Sequence, residues 1–269
     1  MTRVKALSIG QLRQMKRDGE KIAMLTCYDA TFARAMDRAG IDIILVGDSL
    51  GMVVHGRETT VGVQVEELAY HVACVARGRE RSFLLADLPF GSYHDAATAM
   101  TSAVALMRAG GVMVKLEGAG PMIDIVAYLV ARGVPVCGHL GLTPQSVHQL
   151  GGFRVQARDD TAAQRLLRDA RALQDAGAQL LVLECVPAAL GREVSTALEM
   201  PVIGIGAGVG CDGQVLVMHD MLGLEPGGGT AAPKFVANFM AGAASIQGAF
   251  EAYRLAVREG RFPAPQHEY

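Results

Sequence analysis

Apolar positions fall into two kinds of run that alternate along the chain. Short continuous runs, rich in Val, Ile and Leu, read as strands at Ile22–Cys27, Ile43–Gly47, Ser82–Ala86, Val112–Leu116, Pro135–His139, Gln179–Leu183, Val202–Ile205 and Gln214–Met218. Such runs lack the in-out alternation of a half-exposed strand, as expected of parallel strands buried on both faces. Between them lie Ala- and Leu-rich segments with helical spacing: Ala30–Arg38, Glu66–Ala76, His94–Arg108, Met122–Ala131 and Asp159–Asp175. Each is followed by a glycine (Gly40, Gly78, Gly110, Gly133, Gly177), where a left-handed residue stops a helix. A helix over Ser8–Asp18, capped by its serine, precedes the first strand; another near Lys234–Arg258 leads into the polar tail Gly260–Tyr269.

Eight strands joined through helices, with no linker rich in Pro or Ser, predict an α/β chain folded as a single (β/α)8 TIM barrel over residues 1–269. An open doubly wound sheet has the same periodicity and is the alternative fold. Two loops exceed what a barrel requires, Leu50–Val65 and Leu142–Arg158. Both follow strands, on the side where barrels build active sites, and are candidate lids.

The strand ends carry the chemistry. In order they present Asp29, Asp48-Ser49, Asp87, Glu117, His139, Glu184, Gly206-Ala207-Gly208 and His219-Asp220. Asp29 reads as a helix cap and Asp220 as part of a polar turn. Lys115 and Glu117, two residues apart on a strand, share a face. Asp48, Asp87 and Glu117 end adjacent strands, so their carboxylates can converge, and uncompensated they would repel one another. A divalent cation relieves that repulsion, and Mg²⁺ takes such oxygens, one or two directly and the rest through water. Independent caps and surface ion pairs are the alternative use of three acids. Lys115 can neutralise one acid or meet a substrate carboxylate. Glu184 lies among apolar residues, where burial suits a general base. His139 is the neutral partner nearest to it, suited to orienting a base or a carbonyl. The Gly204–Gly208 stretch lacks the helix entry and lysine of a phosphate loop and reads as a tight turn leaving room for a ligand.

Composition narrows the class. Hydrophobic residues make up 51% and charged ones 19%, with a net charge of −2, so the electrostatic footprint of a nucleic-acid binder is missing. The first twenty residues lack a signal-peptide pattern, and no window reaches the roughly 18 apolar residues of a membrane span, so a cytoplasmic protein is expected. Five scattered cysteines without a C-x-x-C pair predict reduced, mostly buried thiols. A mean hydropathy of +0.26 suggests apolar surface shared between subunits.

A metal, a lysine and a buried carboxylate base suit enolisation of a 2-oxo acid, with Mg²⁺ polarising the carbonyl as the α-proton leaves. The electrophile comes from a resemblance. The blocks Thr26-Cys27-Tyr28-Asp29, Val46-Gly47-Asp48-Ser49-Leu50-Gly51, Asp87-Leu88-Pro89-Phe90-Gly91-Ser92-Tyr93, Val114-Lys115-Leu116-Glu117-Gly118, Gly138-His139-Leu140-Gly141-Leu142-Thr143-Pro144-Gln145 and Gly206-Ala207-Gly208, with Asp212–Val217, resemble the ketopantoate hydroxymethyltransferase family from about residue 6 to residue 240. The resemblance implies transfer of a one-carbon unit from 5,10-methylenetetrahydrofolate to 3-methyl-2-oxobutanoate, with Mg²⁺, in a homo-oligomer that is commonly a decamer. It implies Asp48, Asp87 and Glu117 at the metal, and Asp48, Ser49, Asp87 and Lys115 at the oxo acid. Glu184 is the implied proton acceptor. Departures are Ala119 after Glu-Gly, and Phe153-Arg154 and Ala157 in a loop usually reading Gly-Gly-Tyr-Lys-Val-Gln-Gly.

Two other classes compete. One is a Mg²⁺-dependent lyase or mutase of the phosphoenolpyruvate mutase and isocitrate lyase type; its cysteine-bearing Lys-Lys-Cys-Gly-His lid motif is missing here. The other is a barrel that binds a metabolite without catalysis, which would have no need of a base at Glu184.

Overall fold

A computed structural model describes residues 6–224 and 232–269. Eight parallel strands close on themselves in sequence order: β1 (Ile22–Thr26), β2 (Ile43–Val46), β3 (Phe83–Asp87), β4 (Met113–Glu117), β5 (Val136–Gly141), β6 (Leu180–Glu184), β7 (Val202–Ile205) and β8 (Gly213–Leu216). The open-sheet alternative is thereby excluded. The closing seam pairs β1 with β8 from Ile22↔Gly213 to Leu25↔Leu216. All eight strands are buried along nearly their whole length, which is why they read as unbroken apolar runs.

The helices are α1 (Ile9–Arg17), α2 (Ala30–Ala39), α3 (Leu50–Val53), α4 (Val65–Gly78), α5 (Ala96–Arg108), α6 (Pro121–Val130), α7 (Val147–Leu150), α8 (Asp160–Asp175), α9 (Ala188–Ala197), α10 (Met218–Met221) and α11 (Ile246–Arg258). Ser8 caps α1 in a capping box with Gln11, and Asp29 caps α2 by accepting from the Thr31 and Phe32 N–H groups. α11 packs on α2 and β1. The Tyr253 hydroxyl bridges the seam, 3.0 Å from the Met24 carbonyl and 2.9 Å from that of Gln214.

Several sequence expectations are corrected. The helix expected near Lys234–Arg258 starts only at Ile246, behind the cap Ser245. Before it, the Asn238 side chain closes a local turn by accepting from the Met240 and Ala241 N–H groups, and Gly242, at φ +93, holds a left-handed conformation that a helix running through this position could not contain. Gly78 is not a left-handed stop: it is the last residue of α4, and a Cβ on it would lie 2.3 Å from the Ala30 carbonyl, so it permits close packing of α4 on α2. Helix α9 and the short α10 were unforeseen, and Asp220 lies in α10 rather than in a turn. The Gly206 turn is not open space, because a Cβ there would meet the rings of Phe235 at 3.0 Å and Tyr269 at 3.1 Å. The two long loops carry α3, and a 3-10 turn at Pro144–Ser146 followed by α7. Cys27, Cys137, Cys185 and Cys211 are buried free thiols and Cys74 is half-buried. Among the described residues no helix is long and apolar enough to cross a membrane.

Candidate active site

Strand register brings the acids and bases together. Asp87 on β3 stands opposite Lys115 on β4, and Glu117 stands opposite His139 on β5. Neighbouring strands lie about 4.8 Å apart, so side chains at the same level on the inner face meet. Lys115 Nζ is 3.1 Å from Asp87 Oδ1 and 3.1 Å from His139 Nδ1. His139 Nδ1 is also 3.3 Å from Glu117 Oε1, while its Nε2 is 3.2 Å from Glu184 Oε2. Asp48, just beyond β2, donates its backbone N–H to Asp87 Oδ2 at 3.0 Å. A continuous chain of contacts therefore runs from Asp48 to Asp87, Lys115, His139 and Glu184, with Glu117 on its flank.

All of these groups are buried except Glu184, whose side chain is 14% exposed against 3% for Glu117. Glu184 is thus the carboxylate most open to an incoming molecule. Its backbone is held by a close approach: Gly141 has φ +90, and a Cβ there would lie 2.1 Å from the Glu184 carbonyl oxygen. Ser49 contributes a hydroxyl 2.9 Å from that of Tyr28, which donates to Thr26 Oγ1.

The electrostatics favour added positive charge. Burial, with Asp87 and Glu117 nearby, holds the Asp48 carboxyl well above its usual range despite Lys115 and Gln145. Burial also raises Asp87, against the Lys115 ammonium and the Asp48 N–H. For Glu117 burial is outweighed by His139, Lys115 and the Gln145 N–H, which bring it below its usual value. Burial alone would neutralise Lys115, and the three carboxylates more than reverse this. His139, expected neutral, is pushed up to about 9: burial and Lys115 oppose its charge, but Glu117 and Glu184 prevail.

With every group ionised, the four carboxylates exceed Lys115 and His139 by two negative charges. Asp87 Oδ1 and Glu117 Oε1 are buried and face Lys115 and His139 at 3.1 and 3.3 Å, but neither makes a well-aligned hydrogen bond, so each keeps acceptor capacity. This donor chemistry fits a hard divalent ion. Among the described residues, no group of three His, Cys, Asp or Glu side chains is placed to hold a metal ion as it stands, so an ion here would meet one or two carboxylates directly and take water or substrate in its other positions.

Two polar residues without an assigned role in the sequence reading also enter the cluster. Gln145 is 4% exposed and bonds both Asp48 and Glu117, and Tyr93 donates to its side-chain oxygen. Both lie within the blocks that carry the family resemblance, but nothing in their local spacing marks them as members of the site.

The chain is similar to known proteins along nearly its whole length. The model of the ketopantoate hydroxymethyltransferase family matches residues 6–265. A 3-methyl-2-oxobutanoate hydroxymethyltransferase of Burkholderia vietnamiensis is 57% identical over 264 residues, covering 98% of this chain and 96% of that protein. The enzyme of the same name from Thiobacillus denitrificans is also 57% identical, covering 98% and 99%. Among solved structures, a phosphoenolpyruvate phosphomutase of Streptomyces platensis superposes with a TM-score of 0.61 at 16% identity, over 79% of this chain and 82% of that one. A phosphonopyruvate hydrolase in complex with oxalate and Mg²⁺ gives 0.60 at 12%, over 78% and 81%. At such identities the structural likeness speaks for the barrel alone. The sequence matches go further: along nearly its whole length, this chain belongs to the ketopantoate hydroxymethyltransferase family.

Proposed function

We propose that the protein transfers a hydroxymethyl group from 5,10-methylenetetrahydrofolate to 3-methyl-2-oxobutanoate, giving 2-dehydropantoate. One observation carries the reading: a chain of this family holds Asp48, Asp87, Glu117, Lys115, His139 and Glu184 in one contact network at the C-terminal mouth of its barrel.

Asp48, Asp87 and Glu117 would hold Mg²⁺, with water or substrate filling its remaining positions. When bound, Mg²⁺ supplies a Lewis acid that polarises the ketone and stabilises negative charge on its oxygen. Lys115, with Asp48, Ser49 and Asp87, receives the oxo acid. Glu184 takes the proton from C3, and His139 holds the Glu184 carboxylate in place through Nε2. The C3–H electron pair then forms the new carbon–carbon bond to the one-carbon unit. Both bonds from that carbon to the folate nitrogens break: water supplies the hydroxyl, and its other proton together with the one taken from C3 ends on the two nitrogens of the departing tetrahydrofolate. The loops 50–65 and 142–158 act as lids that keep bulk water from the nascent carbanion.

In the same reading the whole chain is one domain, cytoplasmic, assembled as a homo-oligomer of decameric type. Its positive mean hydropathy and the exposure of large apolar residues such as Tyr70 and Leu255 support subunit contacts.

The test is direct. Purified protein given Mg²⁺, 3-methyl-2-oxobutanoate and 5,10-methylenetetrahydrofolate is expected to form 2-dehydropantoate, identified by mass spectrometry. Cleavage or rearrangement of an oxo acid with no one-carbon transfer would point instead to a lyase or mutase.

A further inference from the structure

The loop running from Leu142 to Gln156 is tied at both ends to the strand end that carries Glu184. The Leu142 N–H donates to the Glu184 carbonyl and the Gln156 N–H to the Cys185 carbonyl, each at 2.8 Å. Between these ties the loop sends Gln145 inward. Its backbone N–H donates to Glu117 Oε2 at 3.0 Å. Its side-chain Nε2 donates to Asp48 Oδ2 at 2.8 Å and to the Leu88 carbonyl at 2.9 Å, and its Oε1 accepts from the Tyr93 hydroxyl. Both Nε2 protons therefore have acceptors. The orientation of the amide follows from the network, because a carboxylate and a carbonyl can only accept while the tyrosine hydroxyl can donate.

We propose that Gln145 is a positioning residue for the metal-binding carboxylates, fixing one oxygen of Asp48 and one of Glu117 so that the other faces the cation. The inference rests on the reading that these acids hold Mg²⁺. An amide is the fitting group for this task. A buried carboxylate left unbonded on its outer oxygen is costly, yet a lysine or arginine there would cancel the charge the cation needs. A neutral donor satisfies the oxygen and leaves the charge in place. Glu117 Oε1, the oxygen Gln145 does not hold, is buried with no well-aligned hydrogen bond, its nearest polar neighbour being His139 Nδ1 at 3.3 Å. Because the loop also hangs on the carbonyls of Glu184 and Cys185, one segment sets the metal carboxylates and the proton acceptor relative to each other.

Mn²⁺ binding to the full chain, followed by electron paramagnetic resonance without substrate, tests this apart from turnover. Gln145→Leu keeps the volume and removes the side-chain donors. It is expected to weaken Mn²⁺ binding by about 10–100-fold, the usual effect of losing a group that orients a metal ligand. Activity at limiting Mg²⁺ is expected to fall more than kcat at saturating Mg²⁺. A folded Gln145→Leu protein with wild-type Mn²⁺ affinity would overturn the inference. Should that variant fail to fold, Tyr93→Phe decides: it removes the hydroxyl that orients the amide, which also accepts from the Glu117 N–H at 3.4 Å, and is expected to weaken Mn²⁺ by about 10-fold, and unchanged affinity overturns the inference. Wild-type protein that binds no Mn²⁺ would defeat the metal reading itself; a wild type that binds, with variants that bind equally, would defeat only the role of Gln145.

Discussion

Glu184→Gln is expected to bind 3-methyl-2-oxobutanoate at close to wild-type affinity and to lose turnover by about 10²–10⁴-fold, the range for removing a positioned general base. The amide is nearly isosteric and can still meet His139 Nε2, 3.2 Å from the present carboxylate oxygen. What it cannot do is accept the C3 proton. Calorimetric titration of the oxo acid alongside steady-state kinetics separates the two effects, and a variant turning over near the wild-type rate would remove Glu184 from the chemistry. The position itself argues for the role. Glu184 ends β6 at the rim, more open than the other acids, with its backbone locked against Gly141.

The second large effect is expected from Lys115→Met. Lys115 is 4% exposed and lies against Asp87 and His139. Its removal leaves Asp87 buried without its cation, a change that costs about 3–5 kcal/mol when a buried pair is broken. Metal-free Lys115→Met is therefore expected to show a marked drop in denaturant midpoint. Added Mg²⁺ is expected to restore more stability to this variant than to wild type, because the cluster has gained one uncompensated negative charge. The oxo acid, deprived of an ammonium facing its carboxylate, is expected to bind more weakly. A variant as stable as wild type in the absence of metal would show that the Lys115–Asp87 pair contributes nothing.

Much of this arrangement could be read without coordinates, for physical reasons. Parallel barrel strands are buried on both faces, so β1 to β8 announce themselves as apolar runs, and their adjacent ends put Asp48, Asp87 and Glu117 in one buried network, although among the described residues no three such side chains are placed to hold an ion as they stand. Strand alternation put Lys115 and Glu117 on one face. Local pattern failed where the decisive contact is distant. Gln145 is 97 residues from Asp48 and 28 from Glu117, and only the folded loop brings it between them. The His139 imidazole reads as neutral in isolation, whereas Glu117 and Glu184 on its two sides favour the charged form. Helix α9 was missed because Gly191, Ser195 and Thr196 weaken its helical signature, and packing stabilises it instead. The glycine rule for helix stops held at Gly40, Gly110, Gly133 and Gly177, all with positive φ, and failed at Gly78, where the missing side chain serves interhelical contact.

The claim beneath all of this is that a hard cation held by neighbouring strand ends, together with one carboxylate at the rim, makes a keto acid give up its C3 proton. Nuclear magnetic resonance of 3-methyl-2-oxobutanoate in deuterated water, with the protein and Mg²⁺ but no folate, measures that step alone. The expected result is enzyme-dependent loss of the C3 proton signal, abolished by chelating the metal and by Glu184→Gln. A C3 proton exchanging no faster than in protein-free buffer would contradict the account.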